Sequence, residues 1–204
     1  MTPTDTGTPR RQERGRRRME QILHAAADEF ARLGYEAATT NGIAAAAGIS
    51  PGSLYQFFSG KADIARALAG LYREQLDAAQ SAAFTREDLA GLPVPDVVAA
   101  VIGPLVEFNI AHPGFKALFA RTDMPAELAE AVAPIHAVIH GKVGGLLAVL
   151  LPELSTKDLE RATSVAIQLV RGMMPLIVAA DPAARPALVT DLRNVLVGYL
   201  DTLR

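Results

Sequence analysis

Apolar residues recur at helical spacing along almost the whole chain. Ile22, Leu23, Ala26, Ala27, Phe30 and Leu33 fall on one face of a helix predicted over 19–33. Gly34, just past its end, is placed as a C-cap glycine. Thr39 is a predicted N-cap for a short helix over 40–47, which Gly48 ends. Ser50 caps a third helix, with Pro51 at its first position, where the missing N–H does no harm. That helix is predicted to run to about Phe58. Ser59 and Gly60 interrupt the pattern, and Lys61 opens a long helix to about Ala83. Further helices are predicted over 96–111, 113–120, 126–150, 157–180 and 184–203. Ser155 with Asp158 makes a capping-box-like start for the penultimate one. Pro104, Pro134 and Pro175 fall inside these patterns and predict kinks or breaks. Alternating β-branched runs are few, so the expected fold class is all-α.

The segment 39–58 has the outline of a helix-turn-helix: a short helix, a glycine-containing turn and a second short helix. Ile43, Ala44, Ala47, Ile49, Leu54 and Phe58 form its expected core. Gly48 permits the turn because it tolerates positive φ. The outward positions Thr40, Asn41, Ser53, Tyr55 and Gln56 are neutral hydrogen-bonding side chains. Ser50, Pro51, Gly52 and Ser53 start a helix, whose free N–H groups favour an anion. An ordinary helical corner would show the same spacing.

Composition narrows the choices. The chain has 204 residues, half of them hydrophobic, and no cysteine. Disulfides, cysteine-bound zinc and a thiol nucleophile are therefore excluded. Twenty Lys+Arg face 22 Asp+Glu, a formal net charge of −2. Residues 1–61 carry eight basic and six acidic side chains, or +2; residues 62–204 carry twelve and sixteen, or −4. Arg10, Arg11, Arg14, Arg16, Arg17 and Arg18 crowd the first 18 residues, which suggests a polyanionic partner at that end or a tail that aids solubility. Residues 1–16 read as a disordered basic arm. No apolar run follows the arginines, and segments 97–106, 131–141 and 143–152 are short for a membrane span. The expected location is cytoplasmic, with no membrane partner.

Few catalytic signals are present. No glycine-rich phosphate loop and no G-x-S-x-G occurs. His136 and His140 are four apart, the spacing of two metal ligands on one helix face, with His112 or Glu107 as a conceivable third. The glutamate of a metalloprotease helix is missing, since Ala137 follows His136. A metal-sensing role is the alternative kept; the main expectation is no metal, no cofactor and no enzyme.

The run ILHAAADEFARLGYEAATTNGIAAAAGISPGSLYQFFSGKADIARAL, with its blocks GYEAATTNGIA, AGIS and GSLYQFF..K, resembles the N-terminal domain of the TetR (tetracycline-repressor) family of transcriptional regulators. The likeness extends from about Arg17 to Leu68. It implies a three-helix DNA-binding domain over 17–61 on a larger helical domain, 62–204, that dimerises and takes a small ligand. Thr39, Thr40 and Asn41 would then sit beside a phosphate. Ser50, Pro51, Gly52 and Ser53 would open the recognition helix in the major groove. Tyr55 would reach a phosphate, Gln56 would read a base, and Phe57 would lie near the DNA backbone. Lys61 would anchor another phosphate, and Arg16 and Arg17 would enter the flanking minor groove. The recognition segment itself holds no Arg or Lys, so bidentate Arg-to-guanine readout is excluded from it.

A repressor on a palindromic operator is the family default. Two half-sites require a dimer. The last two helices carry stripes that would form its seam: Val165, Leu169, Met173, Leu176 and Ile177 on one, Leu188, Leu192, Val195, Leu196 and Tyr199 on the other. The same stripes could fill the monomer's own core. Phe108, Asn109, His112, Phe115, Phe119, His136, His140, Gln168, Arg171 and Met173 are candidates for lining an effector pocket, or for core.

Overall fold

A computed structural model describes residues 8–83, 91–119 and 124–204; the side chains of 8–11, 79, 80–83, 116, 117 and 119 lie outside that description. The described residues form helices and no strand. In chain order these are α1 (Thr8–Ala37), α2 (Thr40–Ala46), α3 (Pro51–Tyr55), α4 (Lys61–Ala83), α5 (Val94–Ala111), α6 (Pro113–Phe119), α7 (Ala126–Leu150), α8 (Thr156–Ala179) and α9 (Arg185–Asp201).

Local signals account for most boundaries. Thr39 caps α2, its hydroxyl accepting the Gly42 N–H at 3.0 Å. Ser50 caps α3 by accepting the Ser53 N–H at 3.1 Å. Ser155 accepts the Asp158 N–H at the start of α8 and donates its own proton to the Asp158 carboxylate at 2.7 Å. Gly34 and Gly48 hold φ of 77° and 64°, the left-handed region that both were expected to supply. Gly34 breaks helical geometry within α1 although turns resume to Ala37.

Four expectations need correction. First, residues 8–16 are not a disordered arm: they are the opening turns of α1, while residues 1–7 lie outside the described residues. Glu13 pairs with Arg16 and Arg17, and Arg16 also with Glu20, at the three- and four-residue spacings that favour helix. Second, Pro104, Pro134 and Pro175 break nothing; α5, α7 and α8 run through them. Third, α3 stops at Tyr55, and a turn carries the chain to Phe58. Fourth, α5, α7 and α8 are long and apolar enough to cross a membrane by length and composition alone. The segments singled out above stopped at single charged residues such as Asp96 and Lys142, which a longer window absorbs. In this fold 39%, 17% and 28% of those apolar stretches are buried, so part of each apolar face packs inward and much of it stays exposed.

Two cores result. One joins Ile22, Ala26, Phe30 and Tyr35 of α1 to Ile43, Leu54, Phe58 and the α4 face Ile64–Tyr72, and is closed by Phe108, Phe115, Leu128, Val132 and Ile135. The other collects Val94, Val98, Ile102, Leu147, Ala162, Ile177, Leu192 and Leu196. Helices α5 and α7 contribute to both cores, at opposite ends.

Candidate nucleic-acid interface

The helix-turn-helix is anchored from inside. Ile43, Ala44, Ala47, Leu54 and Phe58 are buried, and Ile49 packs against them. Gln21 of α1 donates to the Ala47 carbonyl at 2.7 Å, tying the end of α2 to the first helix. Nothing in the sequence signals that bond, because its partners lie 26 residues apart. Leu33 departs from the expected core face and is 40 % exposed, since Gly34 turns the chain away there.

Anchoring leaves a polar rim. Thr39, Asn41, Ser50, Pro51, Gly52, Tyr55 and Gln56 are exposed; Thr40, Ser53 and Phe57 are half-buried. The Thr40 and Tyr55 hydroxyls share a hydrogen bond at 3.0 Å that links α2 to α3. The Ser50 and Ser53 hydroxyls share another at 2.9 Å. Pro51 has no N–H and that of Ser53 is taken by Ser50. An anion at this tip would therefore meet the Gly52 N–H and a serine hydroxyl, not a full set of helix-end donors. Gln56, the C-cap of α3, is a fully hydrogen-bonding amide on the exposed face.

Lys61 is not placed as a phosphate anchor. Its ammonium donates to the carbonyls of Tyr35 at 2.7 Å, Glu36 at 3.0 Å and Ala38 at 3.0 Å. It also lies over the Tyr35 ring, 4.5 Å from the centroid. An ammonium has three donors, and all three are used within the chain. Those carbonyls are left over where Gly34 ends the regular part of α1. Arg16 and Arg17 likewise differ from expectation: they stand on the exposed face of a helix, paired with Glu13, and do not form an extended arm.

The pocket candidates fall into separate groups. Phe108, His112 and Phe115 cluster with Tyr72 of α4. The His112 ring stacks on Phe108 at 4.2 Å, and its Nδ1 lies 2.9 Å from the Phe108 carbonyl. Tyr72 meets Phe108, His112 and Phe115 edge-on. Asn109 is buried and donates to the Leu105 carbonyl. Phe108, Phe115 and Asn109 are buried, and His112 is half-buried at their edge. The Phe119 side chain lies outside the described residues. His140 Nε2 is 3.3 Å from the Ser164 hydroxyl of α8. Gln168 lines an open hollow of about 330 Å³ with Ser164, Val165 and Leu169. Met173 is half-buried beside the second core.

Burial holds the His136 imidazole below its usual pKa of 6.5, and Arg171 nearby adds to the effect. The folded chain therefore binds this proton less readily than the unfolded chain does. Stability is complete at higher pH and falls as pH drops through about 6.5. His136→Gln is expected to flatten that acid-side loss over roughly pH 5 to 7. Chemical denaturation of both proteins across this range checks it; parallel profiles would rule out the assigned burial effect. No group of three or more acidic, histidine or cysteine side chains suited to a metal occurs among the described residues, so nothing supports the metal-sensing alternative.

The seam candidates also divide. Ile177, Leu192 and Leu196 are buried within this chain's own core. Leu176 and Val195 are 52 % and 49 % exposed, and Val165, Leu169, Met173, Leu188 and Tyr199 are half-buried. A helical period places neighbours of a core stripe on its rim, so part of each stripe still faces outward.

A helix-turn-helix with an exposed polar rim, carried on a larger helical body, defines a DNA-binding regulator. Residues 22–68 match the domain described as "Bacterial regulatory proteins, tetR family", and residues 93–200 match "Tetracyclin repressor-like, C-terminal domain". The chain belongs to the TetR family of transcriptional regulators, which bind DNA, respond to ligands and are not enzymes. The search of curated proteins found no match. Solved structures share the fold. A TetR-family regulator from Streptomyces coelicolor is 24% identical with a TM-score of 0.63, covering 92% of this chain and 99% of its own. A transcriptional regulator from Rhodococcus sp. Rha1 is 19% identical with a TM-score of 0.69, covering 90% and 96%. The regulator FadR from Bacillus subtilis, solved in complex with stearoyl-CoA, is 20% identical with a TM-score of 0.66, covering 91% and 98%.

Proposed function

We propose that the chain is a cytoplasmic repressor that binds a palindromic operator as a homodimer and is released by a small, largely apolar effector. The observation that carries this reading is the rim of α2 and α3, where Thr39, Asn41, Ser50, Gly52, Tyr55 and Gln56 are exposed above a fully buried anchor. Residues 17–61 form the DNA-reading module and 62–204 the effector and dimer module. Gln56 reads a base edge; of the two hydroxyl protons of Ser50 and Ser53 one is held between them and the other is left to donate to DNA; Tyr55 and Thr40 contact phosphate as a bonded pair. Arg14, Arg16, Arg17 and Arg18 of α1 supply the cationic contacts. The exposed parts of α8 and α9, with Leu176 and Val195, form the seam between copies.

An apolar effector fits the apolar faces of α7 and α8 beside His136, His140, Gln168 and Arg171. The stearoyl-CoA bound by the Bacillus subtilis neighbour supports the chemistry. Release follows if the effector prefers a conformer whose two recognition helices no longer match the half-site spacing. Selection of bound duplexes from random DNA tests the reading. A symmetric site should emerge, and Gln56→Ala should lose preference at one position per half-site. Failure to enrich any sequence, or identical preference spectra for the two proteins, would reject it.

A further inference from the structure

Helix α7 reaches from one core to the other. Its C-terminal end sets Leu147 in the second core, among α5, α8 and α9. Its N-terminal end sets Leu128, Val132 and Ile135 in the first core, with Phe30 and Tyr35. Twenty-five residues at 1.5 Å each make a rod about 37 Å long. A packed rod passes displacement from end to end, because its interior does not compress.

At the N-terminal end of that rod, a polar contact crosses to the DNA-reading module. The Tyr35 hydroxyl donates to the Glu127 carboxylate, in the first turn of α7, at 3.3 Å. Tyr35 is otherwise buried, its ring 5.6 Å from that of Phe30. Burial and the Glu127 charge push its phenol up to about 12, so it stays a donor. The ring also carries the Lys61 ammonium over it, and that ammonium holds the backbone carbonyls of Tyr35, Glu36 and Ala38. Gly34, at φ 77°, precedes Tyr35, and Thr39, the cap of α2, follows four residues later. The Tyr35 ring is thus tied, through the Lys61 ammonium and the turn it holds, to the start of α2. Glu127 itself sits where a carboxylate is favoured by the helix dipole.

We propose that Tyr35 is a positioning residue for DNA reading, coupling the Glu127 end of α7, through the Lys61-clamped turn 35–38, to the α2–α3 unit. This rests on the assignment of α2–α3 as the DNA-reading element. A phenylalanine would fill the same space, so only the directional O–H bond distinguishes tyrosine here.

Hydrogen exchange on the full-length protein without DNA tests the coupling, so its outcome is separable from failure of the DNA assignment. Tyr35→Phe and Glu127→Ala should each speed exchange of the amides of 38–49 by about fivefold, the scale of one lost hydrogen bond. The double variant should exchange no faster than either single one. Glu127→Gln, whose amide oxygen still accepts the phenol proton, should behave as wild type. The amides of α9 should be unaffected throughout. On a duplex recovered by the selection above, the two single variants should lose affinity and Glu127→Gln should not. Unchanged exchange in Tyr35→Phe, additive effects in the double variant, or equal acceleration in α9 would each overturn the proposal.

Discussion

Replacing Lys61 by methionine is expected to destabilise the fold by about 2 kcal/mol and to leave the salt dependence of DNA binding unchanged. Three charge-assisted bonds to carbonyls are lost, at 2.7, 3.0 and 3.0 Å, together with the contact to the Tyr35 ring. Each such bond would contribute more in a dry interior, but two of the three carbonyls are only partly buried and the third is exposed, so water replaces part of the loss. Methionine keeps the apolar stem, which isolates the ammonium. Lys61→Arg should not restore stability, because a planar guanidinium cannot converge on three oxygens as an ammonium does. A phosphate anchor would behave differently: its loss lowers the slope of log K against log salt by roughly 0.9. Denaturant unfolding and binding at several salt concentrations separate the two roles. A wild-type midpoint with a reduced slope would return Lys61 to the DNA.

Gly114→Ala is expected to be the more damaging change for the body of the protein. The added Cβ would stand 2.7 Å from the Ala27 carbonyl oxygen, 2.7 Å from the Tyr72 hydroxyl and 3.0 Å from Ala27 Cα. Tyr72 could swing its hydroxyl aside only by disturbing its edge-on contacts with Phe108, His112 and Phe115. The Ala27 atoms are backbone inside α1, where a shift is costly. Overpacking of this kind costs about 2–3 kcal/mol, or roughly 5–10 °C in Tm for a chain of this size. Gly70→Ala is the control. It lies within α4 with nothing inside 4 Å of its Cβ position, and should gain up to about 1 kcal/mol from helix propensity. Equal melting temperatures for Gly114→Ala and wild type would show that α6 does not need its close seat on α1.

Local features were legible from sequence and tertiary ones were not. Thr39 and Ser50 announce α2 and α3 because a cap acts within three residues of itself. Gly34 and Gly48 announce positive φ for the same reason. Lys61 misled, since its partners 23–26 residues upstream become acceptors only after Gly34 turns the chain. Phe108, His112 and Phe115 share a face by spacing, yet spacing does not say that the face meets Tyr72. Ile177, Leu192 and Leu196 belong to striped helices, but which edge of a stripe turns inward depends on the neighbouring helix. Tyr35 stood in the GYEAATT block as an unremarked aromatic, and only its contact with Glu127, 92 residues away, gives it meaning.

The uncharged rim of α3 has a consequence for behaviour in a living cell. Exposed Ser50, Tyr55 and Gln56 carry no formal charge, and under the proposed reading the cationic contacts to DNA come from the arginines of α1. Ion concentration then acts on how long the protein stays on any stretch of chromosome, and hardly on which stretch it prefers. An osmotic shock would thin out occupancy everywhere while preserving the rank order of target promoters.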